Sequence, residues 1–188
     1  MRSEHPRRTG LALIFGSLMF FVFWVSAAAD VEQTLIEPWP LQLAFHGVQV
    51  ITLIIGLLLV ARLPVDGWPG HIWRVGAGVA AVGTPLGLPL FAAGILMMGV
   101  SAVFVPGLRV VGAALIPGAT LWIVLFSRGA MIGNEDYPPL TGSELALAIG
   151  GLVLIVTGLV VLGGLILRSR SQDRATGRTG PTATRGQV

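Results

Sequence analysis

Three polar residues, Gln42, His46 and Gln49, interrupt an otherwise apolar segment at spacings of four and three residues. A helix turns by about 100° per residue, so these positions fall within one arc of about 60° and share a face. Amide and imidazole groups inside an apolar helix need hydrogen-bond partners, so we expect this face to point toward other helices. The pattern has two interpretations. It is either a polar path or ligand pocket that opens outward, or a set of interhelical hydrogen bonds that only stabilises the fold.

No other group of residues indicates catalysis, a metal or a cofactor. The chain contains no cysteine, which excludes disulfides, thiolate metal sites and cysteine nucleophiles. His5, His46 and His71 are expected at different depths, so no pair is placed to ligate one haem. Hydroxyl residues in the apolar segments are isolated from any base, among them Ser17, Ser101, Thr120 and Thr157. We therefore expect a protein that is not an enzyme and that holds neither a cofactor nor a metal.

The composition is typical of a membrane protein. Hydrophobic residues make up 54% of the 188 positions and charged residues 11%, whereas a soluble domain has about 25% charged residues. The charges are separated by long uncharged segments, which a soluble protein of this size could not hide. All twelve basic residues are arginine and they flank the apolar segments. We interpret them as topology signals and as contacts with anionic lipid headgroups, not as a nucleic-acid site.

A helix needs about 20 apolar residues to cross a bilayer, and the chain divides on this basis into six transmembrane helices. The predicted spans are residues 11–29, 41–61, 71–85, 89–106, 109–127 and 143–167. They form one all-α, polytopic helical membrane bundle over residues 1–167, followed by a disordered, Arg-rich cytoplasmic tail at 168–188. An alternative with five spans joins the third and fourth segments into one long, kinked third helix.

The first span has a second interpretation. The small residues at 26–29 precede Asp30 and match a site that signal peptidase cleaves. Residues 1–29 are therefore either a retained helix or a cleaved signal peptide. We favour retention, because a multispanning protein seldom needs a cleaved signal.

The arginines discriminate between the two span counts. With six spans and a cytoplasmic N-terminus, eleven of the twelve arginines are cytoplasmic and Arg128 alone is outside; with five spans the split is six to six. The positive-inside rule favours the arrangement with six spans, which places both termini on the cytoplasmic side. The membrane we expect is a prokaryotic plasma membrane. The weak point of the six-span arrangement is Arg74, which lies near the inner end of the short third span and must snorkel to the headgroups.

Together these features predict a small integral membrane protein without catalytic activity. We expect an accessory or scaffold component whose partners are the lipid bilayer and, through helix packing, other proteins or further copies of itself. The alternative is a small transporter or channel that uses Gln42, His46 and Gln49 as its polar path. Anionic lipid headgroups are the expected partner of the Arg-rich tail.

Overall fold

In the computed structural model, residues 5–28, 39–127 and 142–176 are described, and within these ranges the protein has six helices and no strand. The helices are α1 (His5–Ala28), α2 (Trp39–Val60), α3 (Gly67–Leu86), α4 (Leu88–Phe104), α5 (Arg109–Ser127) and α6 (Gly142–Thr176). The predicted all-α class and the six helical segments are thus confirmed for the described residues. Two of the helices are long and apolar enough to cross a membrane by length and composition alone, in the segments Arg7–Val25 and Gly142–Arg168.

A single residue separates α3 from α4. Gly87 has a φ angle of 145°, which L side chains rarely adopt. Pro89 follows in the first turn of α4, where a missing N–H is harmless. The chain reverses at this point, because Gly83 faces Phe91 and the earlier Gly76 faces the later Met97. The five-span alternative with one long, kinked third helix is therefore wrong about this segment.

Three helices extend at least four residues beyond their predicted bounds, and the first of them, α1, begins at His5 rather than at residue 11. α3 begins at Gly67 rather than at residue 71, and its first turn includes Pro69, which the N-terminal positions of a helix tolerate. α6 continues to Thr176, so residues 168–176, which we expected in the disordered tail, are helical. Arginine and glutamine are good helix formers, and cations near the C-terminus of a helix interact favourably with its dipole. The rest of the predicted tail, 177–188, lies outside the described residues.

The six helices form a closed ring. Each helix packs against the next one in sequence, and α6 packs against α1. Neighbours are antiparallel: Gly16 of α1 lies against Leu53 of α2, whereas the earlier Leu13 lies against the later Gly56. At the closing contact, Gly10 near the start of α1 lies against the C-terminal half of α6. The N-terminus of α1 and the C-terminus of α6 are therefore at the same end of the ring.

Glycines allow the helices to approach closely. A Cβ atom at Gly94 in α4 would lie 2.2 Å from the backbone nitrogen of Ala80 in α3. One at Gly118 in α5 would lie 2.8 Å from the carbonyl oxygen of Gly151 in α6. Small residues serve this purpose where helices associate by van der Waals packing. The glycines at helix contacts are Gly10, Gly16, Gly56, Gly76, Gly83, Gly94, Gly99, Gly112, Gly118, Gly151, Gly158 and Gly163.

The two ends of the ring differ in charge. We call the end that holds the N-termini of α1, α3 and α5 and the C-termini of α2, α4 and α6 the arginine end, and the opposite one the far end. The described arginines belong to the arginine-end halves of their helices or to the turns there: Arg7, Arg8, Arg62, Arg74, Arg109, Arg168, Arg170 and Arg174. Between the two ends, the exposed side chains of all six helices include large apolar ones.

Candidate functional site

The three polar residues of the predicted face all lie in the N-terminal half of α2. The side chain of Gln42 is outside the described part of the structure. The other two differ in their surroundings, because the imidazole of His46 is exposed whereas the carboxamide of Gln49 is buried. The boundary between the packed and the exposed side of α2 thus passes between His46 and Gln49. Their joint role in a polar path stays a prediction.

His46 lies at the outer edge of the contact between α1 and α2. Its imidazole packs against the ring of Phe23, with centroids 4.5 Å apart and planes inclined at 35°. Because His46 as a whole is exposed, it is not enclosed by neighbouring helices, contrary to the expectation that the face would point toward them.

Replacing His46 with leucine is expected to change the free energy of unfolding by about 0.5 kcal/mol or less, because a leucine can keep the contact with Phe23 and the position is exposed. Thermal unfolding of the purified protein in a mild detergent measures this. A loss above about 2 kcal/mol would show that the imidazole has buried partners, contrary to its exposed placement.

Gln49 is the buried polar residue whose hydrogen bonding is incomplete. Its side chain is 1% exposed and extends the buried row of Leu53 and Leu57 on the inner side of α2. Its Oε1 atom has no hydrogen-bond partner among the described residues. By contrast, the buried Ser17 donates its hydroxyl to the carbonyl oxygen of Leu13 at 2.6 Å. A buried acceptor without a partner costs about 1–3 kcal/mol of stability.

Aromatic side chains fill the ring at the level of Gln49. The pairing of Gly16 with Leu53 and of Phe23 with His46 places Gln49 opposite Phe20. The ring of Phe20 lies 5.0 Å from that of Phe91 in α4 and 6.1 Å from that of Trp122 in α5, measured between centroids. Trp24 completes this group, 6.0 Å from Trp122. We call these four residues the aromatic cluster: Phe20, Trp24, Phe91 and Trp122.

This arrangement places one amide acceptor next to an apolar interior. An amide does not titrate and is a poor nucleophile, so Gln49 can accept a hydrogen bond from a neutral donor but cannot act as a general acid or base. Within the described ranges, no group of three or more His, Asp or Glu side chains is placed to hold a metal ion.

Among the described residues, the side chains of Trp73, Trp122 and Ser101 donate hydrogen bonds to backbone carbonyls of neighbouring helices, and the sequence did not predict these bonds. Trp73 Nε1 donates to the carbonyl oxygen of Val60 at 2.9 Å and joins α3 to α2. Trp122 Nε1 donates to the carbonyl oxygen of Ala148 at 2.8 Å and joins α5 to α6.

The third is Ser101, which looks isolated in the sequence. Its hydroxyl donates to the carbonyl oxygen of Pro69 at 2.6 Å and joins α4 to α3. For the two tryptophans a signal was present, since a buried indole N–H usually finds an acceptor. For Ser101 the sequence holds none, because the acceptor is a backbone atom of another helix.

Comparison with protein-family models, with curated proteins and with solved structures finds no match to this chain. Its function must therefore be inferred from its own residues.

Proposed function

We propose that the protein is an integral membrane protein whose six helices all cross the bilayer, and that it is a non-enzymatic accessory or scaffold component. The observation that carries the membrane assignment is the outer surface of the ring. Large apolar side chains are exposed on every helix, among them Phe15, Ile55, Val82 and Val110. In water so many exposed apolar side chains would drive aggregation, whereas acyl chains solvate them.

Helix lengths are compatible with this proposal. α4 is the shortest, with 17 residues, and a rise of 1.5 Å per residue gives it a length of about 26 Å. The hydrocarbon core of a bilayer is about 30 Å thick, and a bilayer thins locally around a shorter span at modest cost. The remaining helices have 19 residues or more.

The distribution of arginines supports the orientation. Because the described arginines belong to one end of the ring, the positive-inside rule assigns that end to the cytoplasm. Both chain termini are then cytoplasmic, and a prokaryotic plasma membrane is the compartment that we propose. Retention of α1 is part of the proposal, since Gly10 and Gly16 pack it between α6 and α2.

Packing in the interior favours a scaffold over a transporter. The aromatic cluster occupies the far-end half of the ring, and aliphatic side chains such as Leu57, Ile95 and Leu159 are fully or almost fully buried. A transport path needs several polar groups facing one another, and Gln49 is the described side chain with an unused acceptor there. That acceptor is the one observation that favours the second candidate, a small transporter.

Cysteine labelling tests the topology, because the natural chain contains no cysteine. We expect Leu86→Cys at the far end to react with a membrane-impermeant maleimide in intact cells. Pro106→Cys at the arginine end should react only after lysis. Ile55→Cys, on the exposed apolar side of α2 and more than one turn from its end, should not react in either case. Labelling of Ile55→Cys would contradict membrane embedding, and labelling of Pro106→Cys in intact cells would reverse the orientation.

The scaffold role is tested by co-purification in mild detergent followed by mass spectrometry. A scaffold should retain the same stoichiometric partner, or further copies of itself, in the wild type and in Gln49→Leu. A transporter reconstituted in liposomes should instead carry a solute across the bilayer, and Gln49→Leu should abolish this transport. Such a result would contradict the scaffold assignment.

A further inference from the structure

Arg74 lies deeper in the ring than Trp68, an exposed aromatic residue in the first turn of the same helix. It is six residues beyond Trp68 in α3, which corresponds to about 9 Å along the helix axis. Tryptophan prefers the boundary between headgroups and acyl chains. If Trp68 lies at that boundary, the backbone of Arg74 lies within the hydrocarbon region, where a cation needs an anionic partner.

The turn that carries Arg74 is held firmly at this depth. The preceding residue, Trp73, donates its indole N–H to the carbonyl oxygen of Val60 in α2 at 2.9 Å. The carbonyl oxygen of Pro69, in the first turn of α3, accepts the hydroxyl of Ser101 in α4 at 2.6 Å. Because α3 is fixed to both neighbours, sliding of the helix cannot bring Arg74 to the surface. The guanidinium of Arg74 must therefore extend from this fixed backbone position toward an anionic group near the headgroups.

No protein group supplies that partner among the described residues. Arg74 is exposed, and it has neither a hydrogen bond nor an ion pair there. Asp66 is the nearest described carboxylate along the chain, at the N-cap of α3. It lies eight residues before Arg74, or about 12 Å along the axis.

Along the outward side of α3, an interfacial aromatic residue comes first, then polar and cationic residues, then aliphatic ones. This order matches the boundary, headgroup-binding and acyl-chain regions that a bound phospholipid would need. Trp68 stands at the arginine end, 54% exposed, and its ring packs against that of Phe104, with centroids 4.7 Å apart. His71 and Arg74 follow, both exposed. Beyond them the face is aliphatic, with Val75 and Val82 exposed and a glycine at position 78 beside which a Cβ would meet nothing within 4 Å.

We propose that Arg74 binds the phosphate of an anionic phospholipid whose acyl chain lies along the outward face of α3. Guanidinium groups bind phosphate by paired, charge-assisted hydrogen bonds. A zwitterionic headgroup fits less well, because the described residues offer no carboxylate beside Arg74 for its ammonium group. The assignment rests on the proposed membrane insertion, and it concerns a site separate from the Arg-rich tail.

Native mass spectrometry of the detergent-solubilised protein tests this assignment, with dioleoyl phosphatidylglycerol and dioleoyl phosphatidylcholine as probes. The wild type should prefer phosphatidylglycerol. Arg74→Gln should reduce that preference about five-fold, as expected for the loss of one cation near anionic lipid. Arg74→Lys keeps the charge but loses the paired hydrogen bonds, so it should give a preference between those of the wild type and Arg74→Gln. Arg109→Gln, which removes a cation from the same end of the ring, is the matched control and should change the preference little.

An equal affinity of the wild type for the two lipids would overturn the proposal, as would an unchanged preference in Arg74→Gln. Displacement of phosphatidylglycerol by millimolar inorganic phosphate would also overturn it, by showing a site for soluble anions. If Arg74→Gln does not fold, the wild type is crosslinked with a photoactivatable phosphatidylglycerol and the crosslinked residues are mapped. Crosslinks should then map to residues 75–82, and crosslinks found only elsewhere contradict the proposal. If instead the protein is not inserted in the membrane at all, Ile55→Cys would be labelled by the maleimide, which separates this outcome from a failure of the lipid site alone.

Discussion

Gly94→Ala is expected to lower the free energy of unfolding by about 3 kcal/mol, the upper part of the usual range for overpacking. The added Cβ would lie 2.2 Å from the backbone nitrogen of Ala80 and 2.6 Å from the carbonyl oxygen of Gly76. Both are backbone atoms, so no change of rotamer relieves the clash. α3 and α4 must separate by about 1 Å, which loosens the contacts along their whole interface.

Gly78→Ala is the matched control for this experiment. Gly78 is also inside a helix of the same pair, but a Cβ there would meet nothing within 4 Å. Alanine should therefore stabilise the protein by up to about 1 kcal/mol through its higher helix propensity. Thermal unfolding in one detergent, followed by tryptophan fluorescence, measures both variants. Equal effects of the two substitutions would contradict the close contact between α3 and α4.

Gln49→Leu is expected to have the second largest effect, and in the opposite direction. The substitution removes a buried acceptor that has no described partner and continues the apolar row of Leu53 and Leu57. Removing an unpaired buried polar atom should raise the free energy of unfolding by about 1–3 kcal/mol. Retention of such a residue at a cost in stability is the behaviour expected of a functional group.

Thr52→Val is the control for this substitution. Thr52 lies one turn further along α2, and its hydroxyl already donates to the carbonyl oxygen of Val48 at 2.6 Å. Its replacement should change stability by less than about 1 kcal/mol, since one satisfied and accessible hydrogen bond is lost. A drop in stability for Gln49→Leu would mean that Oε1 has a partner in the folded protein, such as a bound water molecule or ligand.

The course of the chain could be predicted because it depends on local signals. Long uncharged segments separated by proline, glycine and arginine predicted the six helices. The glycine and proline residues at 83–89 predicted the reversal at Gly87. The end of α6 could not be placed in this way. Residues 168–176 are polar, a composition that predicts a disordered tail. Their helix propensities nevertheless allow the helix to continue through them.

The candidate site depended on information that one sequence does not contain. Periodicity put Gln42, His46 and Gln49 in one arc, but which part of that arc is buried depends on where α1 crosses α2. That crossing is set by the close approach at Gly16 and Gly56. Similarly, the aromatic cluster combines residues from α1, α4 and α5, and nothing local to any of these helices indicates that they meet.

Closure of the ring has a consequence for the order of folding during synthesis. The ribosome makes α1 first and α6 last, yet Gly10 of α1 packs directly against Gly163 of α6. Hairpins such as α3–α4 can form as soon as their own residues emerge, because their contacts are close in sequence. The contact between α1 and α6 must wait for nearly the whole chain. Until then the glycine-containing face of α1 that contacts α6 stays uncovered. During this stage another copy of the chain can pair with that face instead of α6, so mispairing is most expected at the contact between α1 and α6.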